Sequence, residues 1–283
     1  MDIKKVSVIG GGTMGNGITH VFAMKGFKVN LVEMSNDLAD KAIATITKNL
    51  DRQVKKESIT EQDKSFTLSN ITKTVGVENT PADSDLVIEA IYENKEAKLN
   101  VFNKLESIVK KDSIFASNTS SISITELSSA TRPDRFIGMH FMNPVPMMKL
   151  VEIIRGYSTS DETFMTIKSL SEKLDKTPVE VFDYPGFVSN RILMPMINEA
   201  IFALMEGVSS AEDIDTVMKL GMNHPMGPLT LADFIGLDVC LAIMEVLYTG
   251  FNDPKYRPCP LLKKMVAAKK LGRKSGEGFF KYN

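Results

Sequence analysis

The chain has 283 residues, which predicts two domains rather than one and leaves ample sequence for a buried core. Hydrophobic residues make up 43 % of it and charged residues 24 %, values typical of globular proteins that argue against a disordered or fibrous one. Lysine and arginine number 34 against 35 aspartates and glutamates, so the chain lacks the basic excess of proteins that bind nucleic acid or acidic membrane surfaces.

Residues 4–33 have the pattern of a strand, a glycine-rich turn, a helix and a second strand. An apolar run ends at Ile9, and the motif Gly10-Gly11-Gly12-Thr13-Met14-Gly15 follows it in G-x-G-x-x-G spacing. In this context the turn lets the backbone approach a pyrophosphate, whose charge is attracted by the N-terminus of the following helix. Four residues of the turn are therefore expected to contact a dinucleotide: Gly10, Gly12, Met14 and Gly15.

An acidic residue stands at the end of the second predicted strand. Glu33 lies 18 residues after Gly15, where a carboxylate accepts hydrogen bonds from the adenosine ribose. The same charge repels a 2′-phosphate, and residues 34–36 contain no arginine to receive one. The pattern therefore favours NAD over NADP as the cofactor. The alternative interpretation is a structural glycine turn with an incidental surface glutamate.

Strands and helices alternate through the rest of the first 184 residues. Apolar runs predict further strands near residues 29–32, 86–88, 114–116, 136–139, 150–154 and 179–182. Helical spacing of apolar residues predicts helices at 36–65 and 94–109. Such alternation, with strands apolar throughout, indicates a parallel sheet covered on both faces. We expect an α/β fold whose N-terminal domain, residues 1–184, is a Rossmann-like, mostly parallel sheet that binds NAD.

Polar residues follow several predicted strands, at the edge where open α/β sheets bind ligands. His140 is a candidate catalyst, because its ordinary pKa of about 6.5 suits proton exchange near neutrality, although a single histidine also fits a structural role. Residues 117–121 (Ser-Asn-Thr-Ser-Ser) either bind a ligand, cap a helix, or do both. Glu152 is either exposed on one strand face or buried with a partner. Glu89 and Glu93 are candidates too, with solvated loop acids as the alternative.

From residue 185 to the end the sequence has helical periodicity and almost no strand signal. Helices are predicted near residues 187–206, 210–220, 229–248 and 260–269. Pro195, inside the first of these, is expected to kink or interrupt that helix. The pattern predicts an all-α C-terminal domain over residues 185–283.

The two cysteines, Cys240 and Cys259, have the spacing of neither a disulfide framework nor a metal site. We therefore expect reduced thiols, a cytoplasmic protein and no bound metal. The chain also lacks an apolar run of the ~20 residues that span a bilayer, and it opens without the pattern of a leader peptide. A membrane partner is therefore not expected.

Separate segments along nearly the whole chain match one family. They are Gly10–Gly17, Val87–Ala90, Ala116–Ser121, Gly138–Pro144, Pro185–Arg191, Met226–Pro228 and Gly272–Gly276. In this order they resemble the (S)-3-hydroxyacyl-CoA dehydrogenases, in particular the short bacterial members. The resemblance implies an NAD-dependent oxidoreductase that interconverts 3-hydroxybutyryl-CoA and acetoacetyl-CoA.

The resemblance also implies roles for individual residues. His140 is the implied acid/base that exchanges the proton of the 3-hydroxyl group, and Glu152 is implied to orient it. Ser120 and Asn190 are implied to bind the substrate around the reacting oxygen. Contacts with NAD are implied for Glu33, Glu93, Lys98, Ser120, Asn143 and Lys274.

For the CoA moiety the resemblance implies binding by Lys56 on the helical segment after the second strand. Asn49 stands where the family's neighbouring CoA-contact residue is a serine. From the sequence alone, an ordinary solvated helix face is the preferred interpretation of the basic residues around Lys56. The C-terminal helices are implied to close one side of the substrate cleft and to form a homodimer. Two other functions fit the pattern: a dehydrogenase of the same fold acting on a CoA-free hydroxy acid or sugar acid, and a non-enzymatic NAD-binding protein.

Overall fold

The computed structural model describes residues 2–282, and the chain in it divides into two compact units. The first unit ends at Asp183 and the second begins at Tyr184. The first combines one sheet with covering helices, whereas the second consists of helices and isolated β-bridges, so the predicted fold class is confirmed. Among the described residues, no helix is both long and apolar enough to cross a membrane.

Eight strands form a single sheet in the order β3-β2-β1-β4-β5-β6-β7-β8. Their bounds are β1 Lys5–Ile9, β2 Lys28–Glu33, β3 Ile71–Val75, β4 Leu86–Glu89, β5 Ile114–Ser117, β6 Phe136–Phe141, β7 Leu150–Arg155 and β8 Thr177–Phe182. The first six strands in this order, from β3 at one edge to β6, are parallel to one another. Strand β7 is antiparallel to β6, and β8 is parallel to β7. The order of connection reverses between β1 and β4, and open α/β sheets bind ligands in the crevice at such a point.

The sheet is buried at its centre and partly exposed at its edges. Strands β1, β4, β5 and β6 are buried along nearly their whole length, because helices cover both faces there. The edge strands β3 and β8 expose many of their side chains, so the prediction of strands covered throughout is wrong for the edges. The helices of this unit are α1 Thr13–Met24, α2 Asn36–Lys55, α3 Glu61–Ser69, α4 Lys95–Glu106, α5 Ile124–Ser128 and α6 Asp161–Lys173.

The second unit packs its helices around its own apolar core. They are α7 Ser189–Met205, α8 Ala211–Thr216, α9 Pro228–Ile235, α10 Leu237–Phe251 and α11 Pro260–Ala267. Buried residues such as Ile201, Leu237 and Leu247 belong to one hydrophobic cluster. Helix α7 continues through Pro195. The helix predicted at 229–248 is two helices, because Gly236 between them adopts a φ of 105° that a helix does not allow.

Three further elements differ from the sequence prediction. The segment predicted as one helix at 36–65 forms two helices, α2 and α3. Thr60 is the N-cap of α3 and forms a reciprocal capping box with Asp63, so a new helix begins after it. Strand β3 and helix α6 were not predicted. Strand β3 lies at a sheet edge and has three consecutive polar residues, Thr72, Lys73 and Thr74, so it lacks the apolar run by which the central strands were recognised.

Candidate active site

The glycine-rich turn joins β1 to α1 and has the geometry of a dinucleotide cradle. Gly10 has a φ of 95°. A Cβ at Gly15 would lie 1.7 Å from the carbonyl oxygen of Gly10, so only glycine allows this approach of helix and strand. A Cβ at Gly12 would meet nothing within 4 Å, which leaves its backbone open to a ligand. As the N-cap of α1, Gly12 also has no side chain to cover the first-turn N–H groups, which are suited to bind a pyrophosphate.

Glu33, the last residue of β2, lies beside this turn. Its Oε1 accepts a hydrogen bond from the N–H of Gly11 at 2.6 Å, and its Oε2 accepts one from the N–H of Met34 at 3.0 Å. These two donors fix the carboxylate at the rim of a cavity of about 620 Å³, which extends from the glycine turn to Glu78, Tyr92 and α4. The cradle, the cavity and the fixed carboxylate together fit the pyrophosphate and adenosine ribose of a dinucleotide.

His140 and Glu152 lie on neighbouring strands. The antiparallel register of β6 and β7 places the two residues directly opposite each other. Nδ1 of His140 is 2.7 Å from Oε2 of Glu152, and the two side chains are 9 % and 3 % exposed. Of the two alternatives for Glu152, burial with a partner is what the structure shows. A buried carboxylate bonded to Nδ1 fixes the tautomer and orientation of the imidazole, an arrangement suited to an acid/base.

His140 was expected just past the end of its strand, but β6 continues to Phe141, so His140 is the fifth of its six residues. The neighbouring strand holds this end of β6 in place, because Asn118, which directly follows β5, accepts a hydrogen bond through Oδ1 from the N–H of Phe141 at 3.0 Å. Asn143 follows β6 in an exposed position, joined to Pro144 by a cis peptide bond.

Ser120 lies in a turn after β5 that is held by Glu93. Oε1 of Glu93 accepts hydrogen bonds from the N–H groups of Ser120 at 2.9 Å and Ser121 at 3.2 Å, and from the hydroxyl of Thr119. Oε2 of Glu93 is 3.2 Å from Nζ of Lys98. Partial desolvation would raise the pKa of Glu93, but the charge of Lys98 and these hydrogen bonds hold it below its usual value. The residue that caps α5 is Ser123, so residues 117–121 are not the helix cap.

The remaining predicted site residues lie near the C-terminal end of α2 or in the second unit. Asn49 and the exposed Lys56 lie on the last turns of α2 and at its C-cap, where Asn49 Oδ1 is 3.5 Å from a guanidinium nitrogen of Arg52. In the second unit, Asn190 is buried in the first turn of α7. Lys274 forms an ion pair with Asp238. The roles of these residues stay predictions.

Sequence reasoning missed a buried ion pair at the end of β4. Glu89 and Lys98, which are almost fully buried, are joined by a contact of 2.6 Å between Oε1 and Nζ. The interpretation of Glu89 as a solvated loop acid is therefore wrong. The one signal for this environment was its position directly after Leu86-Val87-Ile88, a run that belongs to a strand buried on both faces.

Two family models together match nearly the whole chain. One, described as "3-hydroxyacyl-CoA dehydrogenase, NAD binding domain", matches residues 5–184, and one described as "3-hydroxyacyl-CoA dehydrogenase, C-terminal domain" matches residues 186–282.

Individual relatives are similar over their full length. The chain is 57 % identical over 279 residues to a probable 3-hydroxybutyryl-CoA dehydrogenase of Deinococcus radiodurans, which covers 98 % of this chain and 100 % of the relative. It is 56 % identical over 281 residues to the 3-hydroxybutyryl-CoA dehydrogenase of Bradyrhizobium diazoefficiens, with 99 % and 96 % of the two chains covered. The crystal structure of (S)-3-hydroxybutyryl-CoA dehydrogenase from Ralstonia eutropha matches at a TM-score of 0.97 and 52 % identity, over all of both chains.

Proposed function

The chain belongs to the 3-hydroxyacyl-CoA dehydrogenase family and is an NAD-dependent dehydrogenase, and on that premise we propose that it interconverts 3-hydroxybutyryl-CoA and acetoacetyl-CoA. The family, the enzyme class and the cofactor predicted from the sequence are thus confirmed. The four-carbon substrate is supported by the names of the relatives at 57 % and 56 % identity, both of which are called 3-hydroxybutyryl-CoA dehydrogenases.

The buried pair of His140 and Glu152 is the observation that carries this proposal. Because Nδ1 of His140 is bonded to Glu152, we assign proton exchange with the substrate to Nε2. During reduction, His140 gives this proton to the oxygen on carbon 3 of the acyl chain, and during oxidation it takes the proton of the hydroxyl group. Glu152 stabilises the charged ring that forms in the second case. NAD, when bound, supplies the hydride chemistry at the same carbon.

The other predicted site residues receive supporting roles in this proposal. Ser120 and Asn190 hold the reacting oxygen, whose charge changes during the reaction. The glycine turn and Glu33 bind the pyrophosphate and ribose of NAD, together with the contacts expected of Glu93, Lys98, Asn143 and Lys274. Lys56, with Asn49 nearby on the same helix, binds CoA.

The direct test is the oxidation of NADH, followed by its absorbance, with acetoacetyl-CoA as substrate. His140→Gln is the informative variant, because glutamine is a polar residue of similar size that cannot exchange a proton. We expect its kcat to fall at least ~10²-fold, the usual contribution of a general acid/base. His224→Gln changes a histidine of the second unit to the same residue and is expected to leave kcat unchanged.

Absence of turnover in the wild type, or undiminished turnover in His140→Gln, would contradict the proposal. Comparable rates with acetoacetyl-CoA and with free acetoacetate would instead indicate a dehydrogenase of CoA-free acids. The comparison of the two substrates therefore separates the proposed function from its alternative.

We further propose that the protein is a cytoplasmic homodimer. The second unit exposes large apolar side chains, including Val208 (73 % exposed) and Leu220 (83 %), which an interface with a second copy would cover. Both cysteines lie among the described residues and carry buried free thiols, as expected in a reducing compartment. Light scattering after size-exclusion chromatography should give twice the chain mass of 31.3 kDa, and a monomer at micromolar concentration would contradict the dimer.

A further inference from the structure

Glu89 is a fully buried carboxylate that the mechanism above does not use. It is the last residue of β4, at the edge of the sheet where the glycine turn and His140 also lie. A buried charge costs several kcal/mol unless it is paired. Three donors satisfy it: Nζ of Lys98 at 2.6 Å, the hydroxyl of Ser117 at 2.6 Å and the N–H of Ile91 at 2.7 Å. Two of these donors, Lys98 and Ser117, connect Glu89 through further contacts to the turn that contains Ser120.

The first route starts at Oε1 of Glu89. Lys98, which donates to this oxygen, also contacts Oε2 of Glu93 at 3.2 Å. The other oxygen of Glu93 accepts the N–H groups of Ser120 and Ser121. Glu93 is 39 % exposed, so burial alone does not fix its orientation, whereas the ammonium of Lys98 does. Glu89 in turn holds that ammonium, and the side chain of Lys98 is 1 % exposed.

The second route starts at Oε2 of Glu89. The hydroxyl of Ser117 donates to this oxygen and accepts the N–H of Thr119 at 3.2 Å. The backbone adds a parallel link, because the N–H of Asn118 donates to the carbonyl oxygen of Glu89 at 2.8 Å. Both oxygens of one carboxylate therefore connect to the same turn, through different side chains.

We propose that Glu89 is a positioning residue, whose two oxygens hold by separate routes the turn 119–121 and thereby place Ser120 for the reaction. The inference rests on the proposed function, since the role of Ser120 at the reacting oxygen belongs to that function. When Glu89 loses its charge, Glu93 is the one carboxylate partner that Lys98 keeps among the contacts described above. We expect the ammonium and the Glu93 carboxylate to move from their positions as a result. A displacement of 1 Å at a positioning group can cost about 10²-fold in rate.

The test is Glu89→Gln, which keeps the size of the side chain and removes its charge. We expect kcat with acetoacetyl-CoA to fall about 10- to 100-fold while KM changes less than about threefold, because an interaction made mainly in the transition state is lost. In the protein without substrate, we expect faster hydrogen exchange at the amides of Ser120 and Ser121, measured by mass spectrometry of a peptide that spans residues 118–123.

Asp85→Asn is the matched control, because Asp85 precedes the same strand at its opposite end. Its carboxylate also pairs with a lysine, Lys110, and accepts the N–H groups of Lys4 and Lys5. This variant is expected to lower the melting temperature but to leave kcat and the exchange of residues 118–123 unchanged. A purely structural role of Glu89 would make its variant behave in the same way.

Ser117→Ala keeps the inference testable if Glu89→Gln does not fold. This variant removes only the hydroxyl of Ser117, which joins Oε2 of Glu89 to the N–H of Thr119. We expect a smaller fall in kcat, about three- to tenfold, with the same faster hydrogen exchange in the turn. The proposal is overturned if either folded variant keeps kcat within about twofold of the wild type, or loses kcat with the exchange of the turn unchanged. Absence of wild-type turnover would refute the proposed function alone, since the exchange measurement still reports whether Glu89 holds the turn.

Discussion

Mild acid should destabilise the protein through His20, a fully buried imidazole on α1. Burial, followed by the charge of Lys176, lowers the pKa of His20 to about 4. The unfolded chain, with an ordinary pKa of about 6.5, therefore binds the proton first as the pH falls. Stability contributed by the neutral ring is complete above pH ~6.5 and is lost as the pH falls towards 4. The shift corresponds to about 3 kcal/mol in total, of which about 2 kcal/mol is lost at pH 5.

The assay is urea unfolding of the wild type and of His20→Gln at pH 7.5 and 5.0. The variant has no titrating ring, so between these pH values the wild type should lose about 2 kcal/mol more than the variant does. His224→Gln, which removes a partly exposed histidine of the second unit, should keep the pH dependence of the wild type. Equal losses in the wild type and His20→Gln would refute the reasoning, because the buried ring would then not be the group that excludes the proton.

Two further predictions concern the site. Glu152→Gln removes a charge-assisted hydrogen bond worth about 1.5–3 kcal/mol, so kcat for acetoacetyl-CoA should fall about 10- to 100-fold; an unchanged kcat would mean that the carboxylate does not support His140. Glu33→Ser removes the carboxylate that repels a 2′-phosphate, and the ratio of kcat/KM with NADPH to that with NADH should rise at least about tenfold. A ratio that stays constant would show that another group sets the preference for NAD.

The parts of the fold that were predictable from the sequence are those with a local signal. The glycine turn, for example, needs glycine at Gly15 for steric reasons that any chain of this geometry shares. Strand β3 was missed because it is stabilised by pairing with β2 at the sheet edge rather than by an apolar sequence. The antiparallel direction of β7 was not specified either, since an apolar strand has the same pattern in both directions.

Some features of the site were predictable from the sequence and others were not. Spacing identified the dinucleotide turn and placed His140 near the edge of the sheet, but only the resemblance joined it to Glu152. The two are twelve positions apart in the chain, and the register of β6 with β7 brings them together. The contact between Glu89 and Lys98 depends on how α4 packs beside the end of β4, and no periodicity in the sequence reports that packing.

The carboxylates at this edge of the sheet differ in their partners rather than in their chemistry. The carboxylate of Glu33 is bonded to the N–H of Gly11, that of Glu89 to the ammonium of Lys98, and that of Glu152 to the imidazole of His140. Glu33 and Glu89 end strands β2 and β4 and accept two and three hydrogen bonds, whereas Glu152 lies within β7 opposite His140. Contacts with neighbouring residues therefore fix the direction of each group. The same functional group can then bind a ribose, hold a turn or support an acid/base. A related chain that keeps one of these carboxylates but lacks its partner would therefore keep the charge without the orientation that its function needs.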